Sequence, residues 1–181
     1  MARTADRLTG EAVIRPWQPA DSEATLAIFN QAVRETTASW ESRPHSVAEW
    51  SSWGQRLVAD GFLFLVAEQS GQVVGYATTS PFRPSPGYNR TAESSIFLAP
   101  PAQGQGLGQR LLAELIGQVR HQGLHALLAA IDATNQASLG LHAKLGFRPA
   151  GHLAEVGHKF GRWRDLILVE LVLNDDPPPS D

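Results

Sequence analysis

Apolar residues recur along this chain with two different periods, and the switches between them mark out the elements. Residues 14–17 (Ile-Arg-Pro-Trp) read as a short strand. Asp21 is placed to cap a helix whose apolar positions include Ile28, Phe29, Ala32 and Val33. Ser46-Val47-Ala48-Glu49 fits a reciprocal capping box, and the helix it predicts carries Trp50, Trp53 and Leu57 on its apolar side. A compact apolar run over 62–68, a turn at Ser70-Gly71 and a second run over 72–79 predict a hairpin. Residues 81–89 hold Pro81, Pro84, Pro86 and Gly87 and read as a loop. A strand follows over 90–98, with Ile96, Phe97 and Leu98 at its apolar end.

The clearest helix carries Leu107, Leu111, Leu112, Leu115, Ile116 and Val119 at helical spacing, and Gly123 stops it. Residues 124–132 are rich in Ala and Leu, which favour helix. Their short length and their place between two helices point instead to a buried strand. Residues 135–145 predict a helix closed by Gly146. Strands over 147–153 and 165–173 follow, on either side of a glycine-punctuated loop at 157–163.

The resulting order is strand, two helices, hairpin, strand, helix, strand, helix and two strands, a mixed α/β single domain. A length of 181 residues and an apolar fraction of 43% suffice for one core. The boundaries expected are a flexible segment at 1–12, the domain at 13–173 and a disordered, acidic, Pro-rich tail at 174–181. The net charge of -3 argues against a nucleic-acid partner. The absence of cysteine excludes disulfides, Cys-based zinc sites and thiol nucleophiles. No apolar run approaches the ~18 residues of a membrane span, and the N-terminus lacks a signal-peptide core, so the expectation is a soluble cytoplasmic protein.

Chemistry enters with Gln103-Gly104-Gln105-Gly106-Leu107-Gly108-Gln109, between a strand and the long helix. Glycines there let backbone N–H groups converge on an anion, and the helix N-terminus adds its positive dipole end. The alternative is a flexible Gly-rich turn. No Gly-Lys-Ser/Thr follows, so this is not a P-loop, and no acidic residue completes a dinucleotide-binding unit.

A second segment runs Asn135-Gln136-Ala137-Ser138, then Leu141-His142-Ala143-Lys144-Leu145-Gly146-Phe147. Together the two segments resemble the GNAT acetyltransferase superfamily. Ala38-Ser39-Trp40-Glu41, Thr91-Ala92-Glu93-Ser94-Ser95 and Gly157-His158-Lys159-Phe160-Gly161-Arg162-Trp163-Arg164-Asp165 look like its phosphinothricin and methionine-sulfoximine N-acetyltransferase branch. The resemblance covers about residues 13–173. It implies a mostly antiparallel central sheet splayed between two parallel strands, helices on both faces, and acetyl-CoA as cosubstrate with no metal. In that fold Ile96, Phe97 and Leu98 form the strand edge that meets the pantetheine arm. The segment from Gln103 to Gln109 surrounds the pyrophosphate, Asn135 hydrogen-bonds the arm with Ser138 beside it, and the Leu98 N–H meets an oxyanion.

Acetyl transfer to nitrogen, by direct attack on the thioester, needs a free amine and hence a base. Glu93 is the candidate, a cleft carboxylate whose pKa burial would raise; its bland alternative is a solvent-facing strand residue. His142 occupies a helix position where many members carry a tyrosine acid, and acid, base and packing roles all remain open. Arg83 suits a substrate carboxylate, its alternative being a solvated loop arginine; Phe82 and Trp40 suit an apolar acceptor pocket or ordinary core; and Lys159 belongs to a loop that closes the pocket or serves a homodimer contact. The leading reading is a small-molecule amine acetyltransferase for an amino-acid analogue. The competing readings are a protein N-terminal or lysine acetyltransferase and a non-catalytic acetyl-CoA sensor.

Overall fold

A computed structural model describes residues 10–178. Residues 1–9 and 179–181, and with them most of the expected N-terminal segment and the end of the tail, lie outside the described residues. Asn174, the first residue of the expected tail, bonds back to the domain through Nδ2 to Leu124 O at 3.1 Å.

Most elements form where their local chemistry predicts. After β1 (Val13–Pro16) comes α1 (Ser22–Glu35). Asp21 is its N-cap by position, but its carboxylate does not cap the helix. It accepts from Gln18 N at 2.8 Å and from both terminal nitrogens of Arg15 at 2.8 and 2.9 Å. A charge-assisted guanidinium fork outcompetes a neutral backbone donor. The capping box of α2 (Val47–Ala59) forms as expected. Glu49 N donates to Ser46 Oγ at 3.3 Å, and Ser46 N donates to Glu49 Oε2 at 2.8 Å. The strands β2 (Phe64–Gln69) and β3 (Gln72–Pro81) turn through Ser70 and Gly71, whose φ values of 53° and 76° match the twist of a tight hairpin.

The chain continues through β4 (Thr91–Leu98), α3 (Leu107–His121), β5 (Ala126–Asp132) and α4 (Gln136–Lys144) into β6 (Arg148–Lys159) and β7 (Arg162–Val172). The last pair corrects the expected loop at 157–163. Those residues are the end of a hairpin that turns only at Phe160 and Gly161, with φ of 52° and 72°. Gly157 pairs with Arg164 inside the ladder. It is a position where a side chain has no room, not a break in the strand.

Among the described residues, one sheet runs in the order β1-β2-β3-β4-β5-β7-β6, and β4–β5 is its parallel pair. The sheet has a core on each face. On one side Leu111, Leu112, Leu115 and Val119 of α3 pack on Leu127, Ala129 and Ile131. On the other, Trp50 and Leu57 of α2 and Leu26 of α1 pack on Phe64, Val66 and Tyr76. Trp17 stacks on Phe64 at 4.9 Å between centroids. Each fully buried large aliphatic contributes about 1.5–3 kcal/mol. No helix among the described residues is long and apolar enough to cross a membrane.

Candidate active site

The sheet opens where β4 and β5 part. Their ladder runs from Thr91↔Ala126 to Glu93↔Leu128 and goes no further. Ser94 Oγ, donating to Leu128 O at 3.0 Å, closes its last rung. Beyond it, Ile96 to Leu98 form one lip of a gap and Ala130 to Asp132 the other. Alternation on the β3 side fixes what the first lip offers. Ala99 N donates to Val74 O at 2.8 Å, so 74/99 and 76/97 are hydrogen-bonded pairs while 75/98 and 77/96 are not. The peptide groups of Ile96 and Leu98 therefore turn away from β3 and into the gap. Gln103 Nε2 satisfies the Leu98 carbonyl at 3.0 Å, and the Leu98 N–H remains aimed at the opening.

A cavity of about 980 Å³ occupies this gap. Its floor is the turn before α3. Gly104 and Gly106 take φ of 73° and 79°, and nothing lies within 4 Å of where a Cβ would stand at either. The glutamine side chains brace the turn from behind, Gln103 on Leu98 O and Gln105 Nε2 on Pro101 O at 2.6 Å. The Leu107 and Gly108 amides at the start of α3 are thus left for a ligand at a helix N-terminus, while Gln109 N donates to Gly106 O at 3.1 Å. On the far wall Asn135 caps α4, its Oδ1 accepting from Ser138 N at 3.1 Å, and both residues line the cavity. An elongated, anionic, amide-bearing molecule such as acetyl-CoA fits this donor set. The backbone edge of Ile96 and Leu98 would hold its arm, and the glycine turn its phosphates.

Of the cofactor candidates, Ile96, Phe97, Leu98, Gln103, Gly104, Gly106, Gly108, Gln109, Asn135 and Ser138 share this cavity. Leu107 is core, and Gln105 faces a separate small cavity beside Arg110. Lys144 on α4, Thr36 and Thr37 after α1, and Phe160 also line it and escaped the sequence reading. Lys144 had a signal, since Ala137, Leu141 and Lys144 share one helical face.

His142 lies off the cavity wall. It is 2% exposed, packs edge-on against Phe147 at 4.9 Å, and approaches Ser138 O through Nδ1 at 2.8 Å. Burial pushes its pKa down. The bond to a carbonyl requires the proton on Nδ1, which leaves Nε2 buried without a partner. This surrounding supports the packing role among the three.

The acceptor candidates form two groups, Glu93 with Arg83 and Phe82, and Trp40 with Lys159. On β4, Ala92, Ile96 and Leu98 belong to the α3 side, so Glu93, Ser95 and Phe97 point to the other. On β5 the same alternation puts Leu128, Ala130 and Asp132 on Glu93's face. Glu93 is half-buried; burial raises its pKa, and the charge of Arg83 partly offsets this. Those two residues are therefore electrostatic neighbours. Arg83 is exposed and stacks over Phe82 at 4.9 Å. Trp40 reaches the second lip, its Nε1 donating to Asp132 Oδ2 at 3.0 Å. Lys159 is 7% exposed, and its ammonium donates to the carbonyls of Ser39 and Glu41 at 2.7 and 2.8 Å.

Asp132 is the hub that the sequence did not announce. Its side chain is 1% exposed and accepts from Arg164 Nε at 2.7 Å, Arg164 Nη2 at 2.6 Å, Thr134 and Trp40. Burial opposes its charge, but these donors outweigh burial and hold its pKa well below the usual carboxylate range. Among the described residues, no group of three or more His, Asp or Glu could hold a metal ion.

The sequence profile of the acetyltransferase (GNAT) family matches residues 25–147. The L-methionine sulfoximine/L-methionine sulfone acetyltransferase of Pseudomonas aeruginosa is 43% identical over 170 residues, covering 93% of this chain and 98% of the relative. The solved structure of a GNAT superfamily phosphinothricin acetyltransferase from Sinorhizobium meliloti, in complex with acetyl-CoA, superposes with a TM-score of 0.90. It is 32% identical and covers 94% of each chain. A Brucella melitensis structure named ribosomal-protein-alanine N-acetyltransferase is 45% identical with a TM-score of 0.87, covering 89% of this chain and 99% of its own. The parted strands, the glycine turn and the match across most of the chain agree, and the chain belongs to the acetyltransferase (GNAT) family.

Proposed function

We propose that this protein acetylates the primary amine of a small amino-acid-like acceptor, of the type represented by methionine sulfoximine and phosphinothricin. The observation that carries the reading is the half-buried carboxylate of Glu93 beside the parted strands, with the charge of Arg83 close enough to act on it. Acetyl-CoA, when bound, supplies the acetyl group as a thioester. An amino acid presents an ammonium group at neutral pH, and Glu93 takes one of its protons, directly or through a water. The raised pKa makes Glu93 a better acceptor for that proton than an exposed glutamate. Arg83 suits the acceptor carboxylate, by the fork geometry of a guanidinium. The Leu98 N–H, fixed by strand pairing and aimed into the gap, is the donor for charge developing on a carbonyl oxygen. His142 packs against Phe147 beneath α4 and takes no part in the proton transfer.

The hairpin of β6 and β7 exposes Val156, Phe160 and Trp163 at 53%, 58% and 65%. Apolar exposure clustered in this way supports a homodimer that uses this hairpin, and sedimentation of wild type against Trp163→Glu tests it. Dependence on acetyl-CoA supports a cytoplasmic site of action.

CoA release from acetyl-CoA, screened over methionine sulfoximine, methionine sulfone, phosphinothricin, common amino acids, polyamines and an N-terminal peptide, tests the reading. Turnover with an amino-acid acceptor that falls about a hundredfold or more in Glu93→Gln is expected. Turnover with the peptide alone would move the function to protein acetylation, the activity that the name of the Brucella relative carries. Binding of acetyl-CoA with no turnover on any acceptor would favour the sensor.

A further inference from the structure

Trp40 is fastened through its flanking carbonyls, its indole N–H and one edge of its ring. The Lys159 ammonium donates to the carbonyls of Ser39 and Glu41, the residues before and after it. Its indole N–H donates to Asp132. Its six-membered ring takes the space beside Gly157, where an added Cβ would overlap Cε3 and Cζ3. Asp132 is in turn gripped by Arg164 through two nitrogens. Gly157, Lys159 and Arg164 all come from the β6–β7 hairpin, so one hairpin frames one indole.

This frame is costly. Burying an ammonium or a carboxylate is unfavourable unless its partners compensate. Lys159 is almost fully buried, yet both its bonds go to backbone carbonyls that any other arrangement of the loop would turn to water. Asp132 shares a sheet face with Leu128, the ladder partner of Glu93. Trp40 therefore stands at the second lip of the gap, on the side where Glu93 points.

We propose that Trp40 is the fixed specificity wall of the acceptor site, and that Lys159, Asp132, Arg164 and Gly157 are positioning residues acting through it to set the size of the acceptor side chain admitted. This rests on the amino-acid acceptor reading above. Lys159 so placed holds the wall and does not itself touch the acceptor.

A double-mutant cycle with L-methionine sulfone as acceptor tests the proposal. Lys159→Met is expected to raise the acceptor KM about tenfold or more while the acetyl-CoA Kd, by calorimetry, moves less than about threefold. In a Trp40→Ala background the same change should move the acceptor KM less than about twofold, because nothing remains to be positioned. Lys159→Arg, which keeps the donors, should restore most of the loss. Gly157→Ala guards against loss of fold in the lysine variant. The backbone at 157 lies outside the left-handed region and the three atoms nearest its methyl all belong to the indole, so it should show the same split. An equal effect of Lys159→Met in both backgrounds would overturn the proposal in favour of direct contact. An unmoved acceptor KM in both Lys159→Met and Gly157→Ala would overturn it in favour of a purely structural frame. Wild-type protein that turns over no amino acid would overturn the acceptor class and this inference with it, a result distinct from the other two because they require wild-type turnover.

Discussion

Gly75→Ala tests whether the first lip of the gap is held as tightly as its packing indicates. Gly75 lies opposite Leu98 in a pair without mutual hydrogen bonds, where strands approach most closely. A Cβ at 75 would overlap Leu98 Cδ2 and stand 3.1 Å from Phe97 O, a backbone atom that cannot swing aside. Leu98 cannot retreat freely, because its other methyl already lies 3.3 Å from the space a Cβ would take at Gly108. The strain must pass into the β4 backbone. Overpacking of this kind costs about 1–3 kcal/mol. At about 2–4 °C per kcal/mol for a chain of this size, Tm should fall by about 2–12 °C. The Leu98 N–H moves with its strand, and displacement of a reacting-site donor by ~1 Å can cost about a hundredfold. The kcat/KM should therefore drop at least about tenfold, well beyond what the stability loss explains while the protein remains folded. Gly117→Ala is the control. It lies inside α3 with nothing within 4 Å, so alanine should stabilise by about 0.4–1 kcal/mol and leave activity alone. Differential scanning calorimetry and initial-rate kinetics read both quantities. A Gly75→Ala enzyme that melts with wild type and keeps its kcat/KM would refute the wedge.

Three further outcomes follow from the site. Because burial raises the Glu93 pKa and Arg83 lowers it, the acid limb of the kcat/KM profile should lie above the ordinary glutamate value of 4.5, and Arg83→Gln should move it higher still; a limb that moves down would break the pairing. Arg164→Met should lower Tm far more than Arg43→Met, whose ion pair with Glu49 at 3.5 Å is exposed on both sides. Asp132 has a depressed pKa, so its pairing stabilises above the ordinary value of 3.8 and is lost as pH falls through the folded value; the gap between wild type and Arg164→Met should narrow on acidification. His142→Phe should keep kcat within about threefold and hold or raise Tm, since it removes a buried, unpartnered nitrogen that costs about 1–3 kcal/mol; a hundredfold loss of kcat would make His142 an acid.

The half of the candidate site proposed to meet the cofactor was legible because it is local. A glycine turn, a helix start and a strand edge are each contiguous segments whose chemistry is backbone geometry; 103–109 announces the first two and 96–98 the third. The proposed acceptor half is assembled from distant residues. Trp40 and Asp132 are 92 positions apart, Lys159 and Ser39 120 apart. Nothing at 132 distinguishes that aspartate from a strand-end turn residue until the topology brings Trp40 and Arg164 to it. The same blindness explains the misread hairpin. Glycine at 157 signals a break when its neighbours alone are considered, whereas its lack of a side chain answers to an indole more than a hundred residues earlier. Asp21 failed as a cap for a related reason, since Arg15 reached it first.

The two lips of the gap are built on one principle. Leu98 fills space vacated by Gly75 and Gly108, and Trp40 fills space vacated by Gly157. Both large side chains are fixed by backbones that carry no side chain of their own, which leaves little room for either lip to shift without a backbone moving. A parted pair of strands loses the ladder bonds that would otherwise set its width. Side chains wedged into glycine sites replace that constraint from outside the gap, so the opening keeps its shape while its peptide groups stay free for a ligand.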